Sequence, residues 1–374
     1  MRVVIDKASL ATAINRVQGA ISEKGSGSVG LRAVNQTLEI VGSDKMLSVY
    51  CASDCSVERE GFLYTQAKFF AEVVRELPAG EVILETDQSW LTVTAGASHE
   101  FTIKLPLKQV PQWSEPPSDL VGAHQARVTS SRFAYMIEQI QFCVAHESPR
   151  AFGVVGYLHK TSQNRLRLVG TDSFRLSYCD AEFSLPEAFL NRGICLSKRA
   201  MNELLRMCND GFDEIKLSLS EDDSTLQAQV EGYKIFILLS AVQFPRYEGV
   251  IPKQLNSSVT VQRSVLQGVA KRVLLASGKT RVLHLEFTSE SLTLLSKNLG
   301  NSEGKEKIEL HDYTGPACSL AINGKYLGDV FTTTTSDELK INFNNQEDPI
   351  VIVPVKEPNN CSSKHILVPI RDSE

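Results

Sequence analysis

Six segments of the chain place apolar residues at i, i+3, i+4 and i+7, the spacing that lays one stripe of a helix against a core. They are Leu10-Ala13-Ile14-Val17, Phe70-Val73-Val74-Leu77, Phe133-Met136-Ile137-Ile140, Met201-Leu204-Leu205-Cys208, Leu266-Val269-Ala270-Val273 and Leu327-Val330-Phe331-Thr334. Their spacing is nearly constant, so a unit of roughly 60 residues recurs six times and pairs into three. The second helix of each pair repeats a basic, apolar, acidic, apolar-apolar order. It reads Lys68, Phe70, Glu72, Val73-Val74, then Arg199, Met201, Glu203, Leu204-Leu205, then Lys325, Leu327, Asp329, Val330-Phe331. A segment alternating apolar and polar follows each, at 81–86, 214–219 and 338–343, as expected of strands with one buried and one wet face. Shorter apolar runs at 38–41, 91–94, 166–169, 234–239 and 292–295 predict further strands. The predicted fold is α+β: three tandem similar domains, each with two helices packed on antiparallel sheets.

Turn-formers set the limits of these domains. Pro116-Pro117-Ser118 through Gly122 ends the first, and Pro252 through Ser258 ends the second, which gives domains at 1–123, 124–254 and 255–374. Both connections are short, so domains packed in series are expected rather than beads on flexible linkers. An apolar fraction of 42% and a charged fraction of 22% suit a soluble globular chain. No apolar run nears the ~20 residues that span a bilayer. Arg2 and Asp6 interrupt what would be the apolar stretch of an export signal, so the expected location is the cytoplasm, with no membrane partner.

Little in the sequence looks catalytic on inspection. The eight cysteines (51, 55, 143, 179, 195, 208, 318 and 361) form no C-x-x-C pair, and the seven histidines show no ligand spacing. Neither a metal site nor any cofactor is expected. Gly25-Ser-Gly27-Ser-Val-Gly30 satisfies G-x-G-x-x-G, but a helix precedes it and a strand follows, the reverse of a dinucleotide fingerprint. Ser277-Gly278-Lys279-Thr280 ends like a phosphate-binding loop, yet Val273 stands where the first glycine belongs. No G-x-S-x-G elbow occurs, and Asp222-Asp223 lies in a polar turn. The expectation is a protein that is not an enzyme.

Three stretches then resemble one family, the bacterial DNA sliding clamps, the beta subunit of DNA polymerase III. Gly170-Thr171-Asp172-Ser173-Phe174-Arg175-Leu176 is similar to the family's T-D-x-x-R-L segment, and Phe244-Pro245-Arg246-Tyr247 through Lys253 to its F-P-x-Y segment. His365 through Arg371 is similar to its terminal apolar-P-M-R-L. Phe142 through Arg150 and Asp348 through Ile352 match as well, and the resemblance spans the whole chain. It implies a homodimer of two three-domain copies, head to tail, closing a six-domain ring around duplex DNA, with helices lining the hole. Sliding requires contacts to phosphates rather than bases. The DNA-facing candidates are Arg16, Lys68, Arg75, Arg132, Lys198, Arg199, Arg206, Lys271, Arg272 and Lys325, with Lys24 and Arg150 near the rim. Against a net charge of −5 these leave an acidic exterior.

The resemblance also implies a groove between the second and third domains. There the replicative polymerase, the clamp loader and other proteins carrying a clamp-binding motif insert a short peptide. Its residues would be Thr171, Ser173, Phe174, Arg175, Leu176, Pro245, Val250, Ile366, Val368, Pro369, Ile370 and Arg371, with Asn323 and Tyr326 walling a neighbouring subsite. For ring closure it points to Phe101 and Ile103 on an edge strand meeting Leu274 and Leu275. Several positions depart from the family pattern. Phe174 replaces Tyr or His, Val368 and Ile370 replace methionines, 150–156 is one residue longer, and Asp372-Ser373-Glu374 extends past Arg371. Two other classes compete with a clamp. A nucleic-acid enzyme or single-strand binder needs a basic-aromatic stacking face, which 7% aromatics do not favour. A peptide scaffold without DNA would be indifferent to reversing Arg199 and Arg272 to glutamate.

Overall fold

The computed structural model describes residues 1–21, 27–96, 101–110, 112–120, 124–298, 302–358 and 360–371. Six helices occupy the six predicted places: α1 (Lys7–Gln18), α2 (Ala67–Glu76), α3 (Ser130–Ile140), α4 (Lys198–Cys208), α5 (Arg263–Val273) and α6 (Gly324–Thr333). Each follows directly on a strand, so the recurring unit is strand then helix. The chain turns into α1 because Asp6 caps it, its carboxylate accepting from the amides of Ala8 and Ser9 at 2.8 and 3.2 Å. The predicted stripes are the buried ones: every stripe residue is buried apart from Leu205, which is half-buried. Each large apolar side chain so removed from water contributes about 1.5–3 kcal/mol.

Among the described residues the strands form four sheets with antiparallel pairing throughout, two of eight strands, one of five and one of four. The chain gathers into two compact units. One comprises Met1–Ser131, Ser184–Leu190 and Arg199–Ser240; the other comprises Arg132–Phe183, Asn191–Lys198 and Ala241–Glu374. The middle third of the sequence is thus shared between the units, because its strands complete sheets begun by its neighbours. In the first unit Tyr233–Leu238 pairs with Leu47–Asp54. In the second, Arg175–Glu182 pairs with Cys361–Leu367, with Leu176 opposite Ile366. Hydrogen-bonded sheet therefore runs across the sequence limits read from turn-formers, covering edges that separate domains would leave open.

The eight cysteines are free thiols. Burial pushes the Cys51 and Cys143 thiols up to about 12 and Cys195 and Cys361 to about 11, so they pack as small apolar groups. Among the described residues no three His, Cys, Asp or Glu side chains are placed to hold a metal ion. No helix there is long and apolar enough to cross a membrane.

Candidate functional site

The groove residues lie in the second unit and are organised by one tight turn. Strand Arg165–Thr171 ends at Thr171, and strand Arg175–Glu182 starts three residues beyond Asp172. Asp172 Oδ1 accepts from the amides of Phe174 and Arg175 at 3.0 and 3.1 Å. Thr171 Oγ1 donates to the Arg175 carbonyl at 2.7 Å and accepts from Ser173 N at 3.2 Å. These bonds hold Ser173 at φ 82, a left-handed conformation that a serine adopts at some cost. The result is that Phe174 stands out from the protein, 62% exposed. Gly170 lets the strand reach the turn, since a Cβ there would meet the Ile140 carbonyl oxygen at 2.9 Å.

Arg175 points the other way, and its side chain is only 10% exposed. Nε donates to Asp172 at 2.8 Å, a terminal nitrogen donates to the Phe142 carbonyl at 2.6 Å, and the other pairs with Asp329 of α6. Its guanidinium lies 4.2 Å from the Tyr326 ring centre. Arg175 therefore staples the turn to α6 and seats Tyr326 beside it. Asn323 caps α6, its side chain accepting from Lys325 N at 3.0 Å. The C-terminal segment is tied to both: Val368 N donates to the Phe174 carbonyl at 3.0 Å and Ile370 N to the Ala321 carbonyl at 2.7 Å.

Thr171, Leu176 and Ile366 thus occupy facing positions on successive strands, with Val351 next in line. Leu176 and Ile366 belong to a buried apolar cluster with Val169, Tyr178, Tyr247 and Val351, against which Phe244 and Tyr157 pack. Val368 is exposed, Pro369 buried, Ile370 half-buried and Arg371 exposed. Pro245 and Val250 are exposed on either side of buried Tyr247 in the 3-10 turn Tyr247–Val250. The long segment at 150–156 forms a 3-10 turn, Ala151–Val154, leaving Val154 half-buried and Val155 buried at the start of the next strand. Asp372, Ser373 and Glu374 lie outside the described residues.

Sequence reasoning missed the aromatic support of this site. Tyr157 stacks on His159 and on Phe244 at 4.8 and 5.0 Å. Tyr247 Oη sits 2.8 Å from His159 Nε2. Phe244 and Tyr247 belong to the recognised F-P-x-Y segment, so the signal was present without a role attached. The buried row Cys143, Ser177, His365 was invisible. The Cys143 thiol donates to Ser177 Oγ at 3.2 Å, and that oxygen lies 3.0 Å from His365 Nδ1. The order resembles a nucleophile with its base. However, burial holds the thiol up to about 12 and drives the imidazole down to about 3, so both stay neutral and inert.

The basic candidates divide into committed and free groups. Arg16 pairs with Asp210 at 2.6 Å and lies over the Tyr233 ring at 5.1 Å. Arg199 pairs with Asp44 and donates to the Gly19 carbonyl at 2.8 Å. Arg206 joins Glu203 at 3.1 Å and the Asn15 carbonyl at 3.2 Å. These three tie α1 to α4 within the first unit. In the second unit Arg132 donates to the Glu182 carbonyl at 2.8 Å and Lys198 to the Val144 carbonyl at 2.6 Å, burial lowering the Lys198 pKa. Arg272 forms an exposed pair with Glu306 at 2.5 Å. Lys68, Arg75, Arg150, Lys271 and Lys325 are exposed and make no ion pair among the described residues. Lys24 lies outside them.

Taken together, the six helices carry twelve Lys and Arg against five Asp and Glu. Of the chain's 39 basic and 44 acidic residues, the remainder therefore holds 27 and 39. Positive charge is concentrated on helices and negative charge on strands and loops.

Two sheet edges also present apolar groups. Phe101–Pro106 ends the five-stranded sheet and Ser302–Glu309 ends the four-stranded one. On the first edge Phe101 is 43% exposed and Ile103 half-buried, while half-buried Leu274 and Leu275, 84% exposed, lie in the 3-10 turn Leu274–Ala276 that follows α5.

Comparison with known proteins agrees with this arrangement along nearly the full length. Models of the DNA polymerase III beta subunit match as its N-terminal domain at residues 1–113, central domain at 127–246 and C-terminal domain at 248–371. The beta sliding clamp of Proteus mirabilis is 26% identical over 380 residues, covering 99% of this chain and 100% of its own. That of Escherichia coli K12 is 21% identical over 378 residues, with 99% and 100% covered. Among solved structures, the DNA polymerase III beta subunit of Thermotoga maritima superposes with a TM-score of 0.89 at 20% identity, covering 99% of both chains. The Caulobacter crescentus sliding clamp superposes at 0.86 with 22% identity, covering 99% of this chain and 100% of its own.

Proposed function

The chain belongs to the DNA polymerase III beta subunit family, the beta sliding clamps, and from that membership we propose which of its residues carry a clamp's work. It is a processivity factor, not an enzyme. Two copies, each contributing domains at 1–123, 124–254 and 255–374, close head to tail into a ring around duplex DNA in the cytoplasm. The edge strands Phe101–Pro106 and Ser302–Glu309 meet across subunits, covering Phe101, Ile103, Leu274 and Leu275. The polymerase, the clamp loader and other motif-bearing partners bind at the groove. Phe174, Val368 and Ile370 offer apolar contact there, and Asn323, Tyr326 and Arg371 supply polar ends.

The observation that carries the DNA side of this reading is the segregation of charge. A ring that slides needs phosphate attraction that is the same at every base pair, and side chains free to exchange phosphates as the duplex passes. Lys68, Arg75, Lys271 and Lys325 meet that need, while Arg16 and Arg199 already serve carboxylates of this chain. Reversing Lys68, Arg75, Lys271 and Lys325 to glutamate is expected to weaken loading. It should also flatten the fall of DNA affinity with salt by about 0.9 in log–log slope for each phosphate that is no longer neutralised. Arg16→Ala is expected to lower stability and leave that slope alone. Filter binding across a salt series checks both, and an unchanged slope in the fourfold variant sinks the assignment.

A further inference from the structure

We propose that the third repeat carries a second partner site, three strands away from the Cys361–Leu367 strand of the groove, built to accept an extended basic segment of another protein. Two cavities of about 730 and 570 Å³ share Gln262, Glu338 and Val355, and so form one trough along strand Ser257–Gln262 and the first turn of α5. That strand is the last of its eight-stranded sheet, laddered on one side with Glu338–Phe343 and joined on the other by a single bridge, Ser258 to Thr314.

Its open side is only partly closed. Ser258 exchanges two bonds with Thr314 at 2.9 Å each, and Thr260 N is shared between the two oxygens of Asp312 at 3.2 Å. By the alternation of an antiparallel strand, Gln262 N faces the same way, and it makes no bond among the described residues. A carboxylate bridging one amide at that length is a cap that an incoming carbonyl can displace. The strand end therefore offers main-chain bonding to an added strand.

The walls say what kind of strand. Val265 and Val355 are 47% and 52% exposed, and with Ile308 and Leu310 they give the trough an apolar floor between its charged walls. Five carboxylates line it, those of Glu309, Asp312, Asp337, Glu338 and Glu357, against Lys356 and His311, with Glu357 already held by Ser363 and the Tyr135 hydroxyl. None of the five forms an ion pair among the described residues. The uncompensated negative charge repels nucleic acid and acidic peptides and selects Lys or Arg. A strand's period of two then places basic residues toward the carboxylates and small apolar ones toward the valines.

The test uses the full-length protein and a fluorescein-labelled peptide of alternating Lys and Val, read by anisotropy, with Glu-Val and Lys-Gly peptides as controls. Saturable binding of Lys-Val alone is expected, weakened about tenfold by Asp337→Lys with Glu309→Lys. Both are surface positions, and an unchanged melting curve confirms the fold. Val265→Asp should weaken it independently, and Phe174→Ala should not. Four results would overturn the proposal: no saturation, equal binding of Lys-Val and Lys-Gly, indifference to the double reversal, or loss on Phe174→Ala. A self-association of the chain that the double reversal abolishes, with no peptide binding, would overturn it in favour of a second copy as the occupant.

Discussion

Arg175→Ala should destabilise the protein by about 3–5 kcal/mol, far beyond what an exposed arginine contributes. The side chain is nearly buried and satisfies Asp172, Asp329 and the Phe142 carbonyl at once. Truncation leaves Asp172 with only its backbone amide donors, and Asp329 and the Phe142 carbonyl without the guanidinium, and the uncompensated charge at half-buried Asp172 is the main cost. Because Asp172 also orders the turn and Tyr326 packs on the guanidinium, the groove should lose partner peptides under conditions where the fold persists. Urea denaturation measures the first effect and peptide anisotropy the second. Removing the charge on both sides, with Arg175→Met and Asp329→Leu together, should recover part of the stability, since matched apolar replacement of a buried pair is close to neutral. A loss below about 1 kcal/mol for Arg175→Ala would mean that the pair is not desolvated as the geometry indicates.

The second large effect is a dependence on pH set by His365. This imidazole is fully buried on the strand that carries Ile366, and burial lowers its pKa from 6.5 to about 3. Nδ1 faces the Ser177 hydroxyl, and Nε2 has no partner among the described residues. The imidazolium carries a proton on both nitrogens, so its Nε2–H would have no acceptor, and its charge would sit fully buried. A depressed pKa means that the unfolded chain binds the proton first. The contribution of His365 is complete above pH 6.5 and is lost steadily as the pH falls toward 3, a span worth roughly 5 kcal/mol. Glu203 and Glu357 act in the opposite sense in acid, since burial raises their pKa values. The clean measurement is thus the difference between the wild type and His365→Gln. The wild type should lose stability more steeply than the variant between pH 6.5 and 4. Parallel curves would show that His365 titrates as it would in water.

Much of this architecture is legible in the sequence, and the illegible part has a common cause. Helix stripes such as Leu10-Ala13-Ile14-Val17 are local, so periodicity alone finds them, and six matched stripes reveal the repeat. Strand partnership is not local. Nothing near Tyr233 says that it will lie beside Cys51, or that Arg175 will lie beside Leu367, so the sharing of the middle third between two units escapes a reading based on turn-formers. The basic residues show the same limit. Composition places Arg16 on a helix, but its partner Asp210 stands 194 positions away, and only the fold reveals that the charge is already used. The Thr171–Leu176 turn is legible because it is a local motif whose hydrogen bonds close within five residues. The groove's deeper layer, from Tyr157 through Phe244 to the Cys143–Ser177–His365 row, is assembled from distant segments.

A clamp's hold on DNA is topological, made by surrounding the duplex. The most direct measurement loads the protein with a clamp loader onto closed circular DNA and follows retention by gel filtration before and after the circle is cut once. Stable retention on the closed circle and rapid loss after linearisation are expected, with base sequence immaterial. Equal retention on both forms, or equal loss from both, would contradict a topological hold.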